Sequence, residues 1–193
     1  MNIIPYTSHY AEQIATLLNR FLPFEPENAA TVEAAGGIRF LCVEDEQIIG
    51  YIAGYTIEKS TEEFPYFGDV LQPLHEKIAA KSTLYSSHFV VHPNFRQRGI
   101  GKALVQAYMD AAKAQVEAVV VVGWVQSDTA QWAAKRQFLA YPFVREAYIA
   151  RYFERYEVYC PNCNGTCFCD ADIYYLDFSM HDAATKQAEA VVV

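Results

Sequence analysis

Ten residues of this chain hold four of its five cysteines: Cys160-Pro161-Asn162-Cys163-Asn164-Gly165-Thr166-Cys167-Phe168-Cys169. Thiolates packed that closely are the donor set of a tetrahedral ion, and the first reading is Zn²⁺ held by Cys160, Cys163, Cys167 and Cys169. In a reducing compartment crowded cysteines favour metal over disulfide. Disulfides, inert thiols and an iron–sulfur cluster draw on the same residues and stay open as alternatives. Asn164-Gly165 is expected to supply the φ > 0 turn that folds the second cysteine pair back on the first. Cys42, alone in an apolar run, reads as a small buried hydrophobe.

A second constellation joins an apolar strand to a glycine-bearing turn and a helix: Phe89-Val90-Val91-His92-Pro93-Asn94-Phe95-Arg96-Gln97-Arg98-Gly99-Ile100-Gly101-Lys102. The strand, over residues 84–91, is β-branched and aromatic, and Pro93 ends it because proline has no N–H for a ladder. Behind the turn, Ala103, Leu104, Ala107 and Tyr108 recur at helical spacing. The first N–H groups of such a helix have no partner within it and lie at the positive end of its dipole, which makes the turn a phosphate cradle. Gly99 and Gly101 allow close approach of backbone and ligand. The spacing matches neither G-x-G-x-x-G nor G-x-x-x-x-G-K-[ST], so the known dinucleotide and nucleotide-triphosphate loops are excluded.

Arg96-x-x-Gly99-x-Gly101, directly after a strand ending in Val91-His92-Pro93, resembles the acetyl-CoA signature of the GNAT superfamily of N-acetyltransferases. The resemblance covers residues 1–179 and is densest over 84–115. It implies an α/β (α+β) fold with a mixed, mostly antiparallel central sheet flanked by helices. It implies acetyl-CoA as cosubstrate, with the backbone of Phe89, Val90 and Val91 along the pantetheine. Arg96 opens the signature, and the amides of Gln97, Arg98, Gly99, Ile100, Gly101 and Lys102 would hold the pyrophosphate. The implied reaction is direct acetyl transfer to an amine, either a small molecule or an amine of a protein or peptide. Such a reaction needs a proton acceptor, donors for the developing oxyanion and a proton for the departing thiolate.

Many members of the superfamily carry a tyrosine acid in N-x-x-A-x-x-L-Y-x-K-x-G-F after the fifth strand, and this chain has no such run. With Ala130 at the alanine, the tyrosine place falls on Ala133 or Ala134; with Phe143 at the final phenylalanine, it falls on Phe138. The second register also puts Tyr152-Phe153 where members often have two tyrosines. His88, on the cofactor strand and with an ordinary pKa near neutrality, becomes the candidate base or water-relay residue, and Tyr141 and Tyr152 are candidate acids. With fourteen tyrosines in the chain, each also reads as core or rim. A non-catalytic acyl-CoA sensor and a zinc-stabilised protein-interaction module are alternative readings of the same residues. Cys160-Pro161-x-Cys163-x-Gly165 in turn resembles a zinc-ribbon knuckle.

The elements that must position these residues alternate along the chain. A strand over 2–6 precedes a helix from Ser8 to about residue 21, with Ala11, Ile14, Ala15, Leu17 and Leu18 as its buried stripe. A short helix over 28–35 ends at Gly36-Gly37. Residues 38–44 and 48–57 read as an antiparallel hairpin around Asp45-Glu46-Gln47. Residues 58–82 read as a long loop with a helix near 70–80, overhanging the substrate in such folds. Residues 118–124 form a strand buried on both faces, Ser127 or Asp128 caps a helix over 129–139, and 143–159 is strand-rich. Residues 172–179 alternate as a last strand.

One domain is expected over 1–179, with the cysteine loop 160–169 at the tip of its last hairpin and 180–193 as a flexible tail. At 193 residues and 52% hydrophobic content the chain can bury one full core. It has no membrane-length apolar stretch and no basic, then apolar, leader, so a cytoplasmic protein is expected, as monomer or homodimer. The net charge of −8 argues against nucleic acid, which needs clustered Lys and Arg, and suits a cationic amine.

Overall fold

The computed structural model describes residues 1–22, 26–160 and 163–180. Its strands and helices are β1 (Asn2–Pro5), α1 (Ala11–Phe21), α2 (Ala29–Ala34), β2 (Ile38–Glu44), β3 (Gln47–Thr56), α3 (Ser60–Glu63), α4 (Gly68–Ala80), β4 (Thr83–Val91), α5 (Ile100–Gln115), β5 (Ala118–Val125), α6 (Lys135–Phe138), β6 (Val144–Ile149), β7 (Tyr159–Cys160), β8 (Gly165–Thr166) and β9 (Asp170–Asp177). Seven strands form one sheet in the order β1-β2-β3-β4-β5-β9-β6. Every pairing in it is antiparallel except β4 with β5. The β2–β3 hairpin turns on Asp45 and Glu46 alone, both with positive φ, 50° and 63°, the backbone that fits the right-handed twist of the strands it joins.

Alternation along the strands sends side chains to two cores. On one face, α5 lays Leu104, Val105, Tyr108 and Met109 over Ile52, Leu84, Val119 and Leu176. On the other, α1 and α2 cover the β1–β4 half around Ile14, Leu18, Leu41 and Tyr51. Beside them, α4 and the β6–β9 connection cover the β5–β9–β6 half around Leu74, Ile78, Val120 and Ile173. In β9, Ile173 and Tyr175 face α4 while Tyr174 and Leu176, with Phe178 just beyond the strand, face α5, the alternation its sequence predicts.

Four expectations need correction. Ser8 makes no side-chain cap: it opens a 3₁₀ turn, Ser8–Tyr10, ahead of α1. The helix expected over 129–139 is reduced to α6, Lys135–Phe138, and Ala130 sits in the left-handed region. The cause is Trp132, whose indole lies on Gly123 of β5 so closely that a Cβ there would be 2.4 Å from it; this contact and its stack on Phe138 override local helix propensity. Lys135 of α6 and Arg145 of β6 bind the buried Asp172 of β9 at 3.1 and 2.5 Å, and the Lys135 pair ties α6 to the sheet. Residues 143–159 hold one strand of the main sheet, followed by a 3₁₀ turn, Tyr152–Tyr156. Finally, among the described residues β7 and β8 pair only with each other, so the cysteine loop is a ribbon of its own within the connection between the antiparallel neighbours β6 and β9, not a direct continuation of those strands. The tail expected over 180–193 lies outside the described residues beyond Met180.

Candidate active site

β4 and β5 run side by side only from Thr83↔Ala118 to Ser86↔Val121 and then part. On its other edge β4 stays paired with β3, but the register jumps from Gly54↔Ser86 to Ala53↔His88, leaving Ser87 as an inserted residue. A bulge bends its strand and increases local twist, and this one lies where the two strands separate. Beyond it, the β4 edge of Phe89, Val90 and Val91 that faces the gap has no strand partner among the described residues, so its alternate N–H and C=O groups can take an extended amide chain.

The turn that follows is tied down at both ends. The His92 imidazole accepts the Asn94 N–H at 3.2 Å, and Arg96 Nε donates to the Val91 carbonyl at 3.2 Å. Gln97 has φ 63°, and Gly99, with φ 80°, caps α5. The first helical bond runs from Ala103 N–H to the Gly99 carbonyl, which leaves the N–H groups of Ile100, Gly101 and Lys102 at the helix start without intrahelical acceptors. A Cβ on Gly99 would meet nothing within 4 Å, so space is open beside the turn. One on Gly101 would lie 3.2 Å from the Phe89 ring and 3.5 Å from Gln137, so that glycine answers to packing.

Side chains in the turn have other tasks. Arg98 forms a two-pronged pair with Glu44 at 2.6 and 2.9 Å, and this guanidinium holds the Glu44 carboxyl below its usual range. Ile100 is buried under the helix. Gln137 of α6, beside Gly101, keeps its Oε1 buried without a partner among the described residues. The sequence offered no signal for it.

The opposite face of β4 carries side-chain chemistry. His88 Nδ1 is 3.0 Å from Ser87 Oγ, its Nε2 is 4.0 Å from Glu27 Oε1, and its ring lies 6.4 Å from that of Tyr51. Burial pushes Tyr51 up to about 12. Further along, Tyr55 donates its hydroxyl to Glu63 at 2.8 Å and meets Tyr85 edge to face at 5.5 Å. Tyr152 and Tyr156 join hydroxyls at 2.6 Å, Tyr156 meets Tyr66, and Tyr152 stacks on Phe67. Burial raises Tyr55, Tyr85 and Tyr152 well above the usual phenol range, helped by the Glu63 charge at Tyr55 and Tyr85 and by the hydrogen bond with Tyr156 at Tyr152. Burial also raises Glu63 itself, against the hydroxyl of Tyr55, and among the described residues no Lys or Arg pairs with it.

His88 and Tyr152 therefore share one face. Tyr141 is on the other, packed with the core under α5, its hydroxyl buried without a partner among the described residues and raised by burial and the charge of Asp110. Phe138, at one register's place for the missing tyrosine, is fully buried between Phe89 and Phe143 and carries no proton. Sequence reasoning did not find Glu27, Tyr55, Glu63 or Tyr85, because side chains gathered from α2's approach, β3, α3 and β4 leave no spacing to read.

The four cysteines converge as their sequence spacing suggests. Their sulfurs all lie within 4.8 Å of one another, no disulfide links them, and Cys160, Cys167 and Cys169 are buried. The left-handed turn residue is Asn164, φ 51°; Gly165 is not in that region. The Phe168 N–H donates to Cys163 Sγ at 3.4 Å and with Ser127 holds that thiol down, at about 7, while burial pushes Cys167 up.

Residues 9–138 match the model of the acetyltransferase (GNAT) family, two-thirds of the chain, and the protein belongs to that family of acetyl-group transferases. No functionally curated protein matches the sequence. Among solved structures, Arabidopsis thaliana NAA60 in complex with acetyl-CoA superposes with a TM-score of 0.64 at 12% identity, over 92% of this chain and 98% of that one. YncA of Salmonella typhimurium, a putative acetyltransferase solved with acetyl-CoA, gives 0.62 at 17%, over 92% and 93%. The ribosomal-protein-S18-alanine N-acetyltransferase of Escherichia coli gives 0.61 at 15%, over 91% and 92%. At these identities the likeness is one of fold. No helix among the described residues is long and apolar enough to cross a membrane.

Proposed function

We propose that the protein transfers acetyl from acetyl-CoA directly to the nitrogen of a cationic amine. The observation that carries this reading is the gap between β4 and β5 opening onto the bare N-terminus of α5. The residues there fit the cosubstrate. The unpartnered edge of Phe89, Val90 and Val91 suits the pantetheine amides, and the amides of Gln97 through Lys102, behind Arg96, suit the pyrophosphate. The orphaned Gln137 Oε1 would accept a hydrogen bond from the bound molecule.

The amine arrives over the tyrosine-lined face. An ammonium group there is attracted by Glu63 and Glu27 and by the faces of the tyrosines. Transfer requires the neutral amine: its proton passes to His88, directly or through one water, and its lone pair attacks the thioester carbonyl. The C–N bond forms, the C–S bond breaks, and the thiolate takes a proton to leave as free CoA thiol. Tyr152, hydrogen-bonded to Tyr156 on the same face, is the better placed of the two candidate acids for a proton moving between amine and thiolate. Tyr141, on the far face, serves the core under this reading.

The experiment is a panel of polyamines, amino acids and peptide N-termini, each incubated with acetyl-CoA while free thiol is recorded. Release of CoA thiol with a cationic amine, matched by acetylated product, is the expected result. Tight acetyl-CoA binding with no turnover of any amine would replace this reading with the sensor.

A further inference from the structure

We propose that Cys160, Cys163, Cys167 and Cys169 hold one Zn²⁺, and that this ion clamps the connection between β6 and β9 onto the acceptor face of the sheet. The clamp's second half rests on the acetyl-transfer reading of that face; the metal site does not.

The geometry is that of a single tetrahedral ion. Zn–S bonds of about 2.3 Å place the corners of a tetrahedron about 3.8 Å apart. Cys163 and Cys169 Sγ are 3.8 Å apart, and no pair among the four sulfurs exceeds 4.8 Å. A disulfide would draw two sulfurs to about 2.0 Å. A multi-iron cluster would spread its ligands wider than one metal–thiolate tetrahedron, since inorganic sulfide and several irons must fit inside the cage.

The loop is built to hold that arrangement. Tyr159↔Thr166 and Cys160↔Gly165 close a two-residue ribbon, and the Cys167 N–H extends it to the Val158 carbonyl at 3.0 Å. Asn164, with φ 51°, turns the chain so that Cys163 faces back. The Phe168 N–H at 3.4 Å and the Ser127 hydroxyl at 3.5 Å point at Cys163 Sγ, the kind of donor that neutralises thiolate charge and fixes a sulfur's direction. Simple packing would not require four donors of one kind to converge, with Cys163 left part-exposed at the surface. On binding, each thiol that is not already ionised releases its proton to solvent, and no electron moves.

The site's place in the fold gives it a task. Cys160 ends the segment that starts with the Tyr152–Tyr156 turn, and Cys169 immediately precedes β9. The same core cluster contains the cysteines, Tyr152 and Phe153, the latter stacked on Trp124 at 3.6 Å. Tying Cys160 to Cys169 therefore closes the connection that presents Tyr152 and Tyr156. The cofactor half, with its own core under α5, does not depend on it.

The test is metal analysis of the full chain purified without chelator, with hydrogen exchange and acetyl-CoA calorimetry before and after zinc removal. About one zinc per chain is expected, falling below about a tenth of an equivalent in Cys163→Ser/Cys169→Ser. Cys163→His, which keeps a zinc donor at that corner, should retain most of the metal and guards against a variant that merely misfolds. Zinc removal should speed exchange across 150–169 at least about tenfold while acetyl-CoA affinity stays within about twofold. Four thiols that titrate freely in the metal-free purified protein, stoichiometric iron with its visible charge-transfer bands, or zinc persisting in the double serine variant would each overturn the site. Unchanged exchange on zinc removal would overturn the clamp. Neither result bears on whether the α5 cradle binds acetyl-CoA, which the calorimetry reads separately.

Discussion

Under the proposed function, the two sides of β4 would recognise by different means. Toward α5, the groups on offer are main-chain ones: a strand edge unpaired among the described residues, a turn with Gln97 and Gly99 at positive φ, and three helix-start amides. Toward α2, α3 and the Tyr152–Tyr156 turn, they are side chains: Glu27, Tyr55, Glu63, Tyr85, His88 and Tyr152. Backbone recognition restricts which residues can occupy a few adjacent positions. Side-chain recognition recruits residues from distant segments and constrains only their types. The first side should therefore fail through conformation, the second through chemistry.

The largest expected effect tests the chemical side. His88→Ala should lower kcat by about 100-fold or more, the usual yield of a positioned base, and change the shape of the pH–rate profile. Acetyl-CoA affinity should stay within about twofold, and enzyme turnover with varied pH reads both. An unchanged rate and profile would reduce His88 to a structural residue on β4.

The next effect tests the conformational side. Gly99→Val forces a β-branched residue into φ 80°, where it is strained by about 1–3 kcal/mol even though its Cβ has room. Calorimetry should show acetyl-CoA binding weakened about 10- to 100-fold with the fold intact. A Gly99→Ala variant should fall between it and the parent. If both variants bind like the parent, the turn is not the cradle.

How far the sequence could be read follows this same division. The strand–turn–helix over β4 and α5 was legible because Gly99 and the strand-ending Pro93 are local requirements of backbone shape. The α1 stripe and the β2–β3 hairpin were legible as periodicities. The helix expected over 129–139 failed because Trp132 packs on Gly123 of β5 and Tyr174 of β9 from an irregular segment and stacks on Phe138 of α6. The sequence singled out the cysteines as one cluster between the last strands of the sheet, but nothing local says whether β7 and β8 pair with that sheet or with each other. Glu63 had no local signature at all. Its partner Tyr55 is eight residues away on another element.

A smaller effect probes the acceptor wall. Glu63→Gln keeps the shape and a hydrogen-bond acceptor for Tyr55 while removing the charge, so KM for a cationic amine should rise about 5- to 20-fold, the weight of one charge-assisted contact. Tyr55→Phe should give a lesser rise, and neither should alter acetyl-CoA affinity. Should KM be indifferent to both, the amine enters elsewhere.

The smallest effect is one of sign, and it sets two carboxylates against each other. Glu44, at the cofactor turn, has its pKa lowered, first by its hydrogen bonds to Arg98. Folding therefore favours its ionised form, a contribution present above the ordinary carboxylate range and lost as pH falls through the depressed value. Glu63, at the acceptor wall, has its pKa raised by burial, which the Tyr55 hydroxyl only partly offsets. Folding favours its protonated form, so its contribution is present below the ordinary range and is lost as pH rises through the raised value. At neutral pH, Glu44→Gln should lower the Tm and Glu63→Gln should raise it slightly. Toward pH 3 the Glu44 difference should shrink, and the Glu63 difference should shrink or reverse. Melting curves of the parent and both variants across that range decide the matter. Two shifts of the same sign at neutral pH would mean that Glu63 is stabilised where it sits and is not held ionised at a cost for an incoming cation.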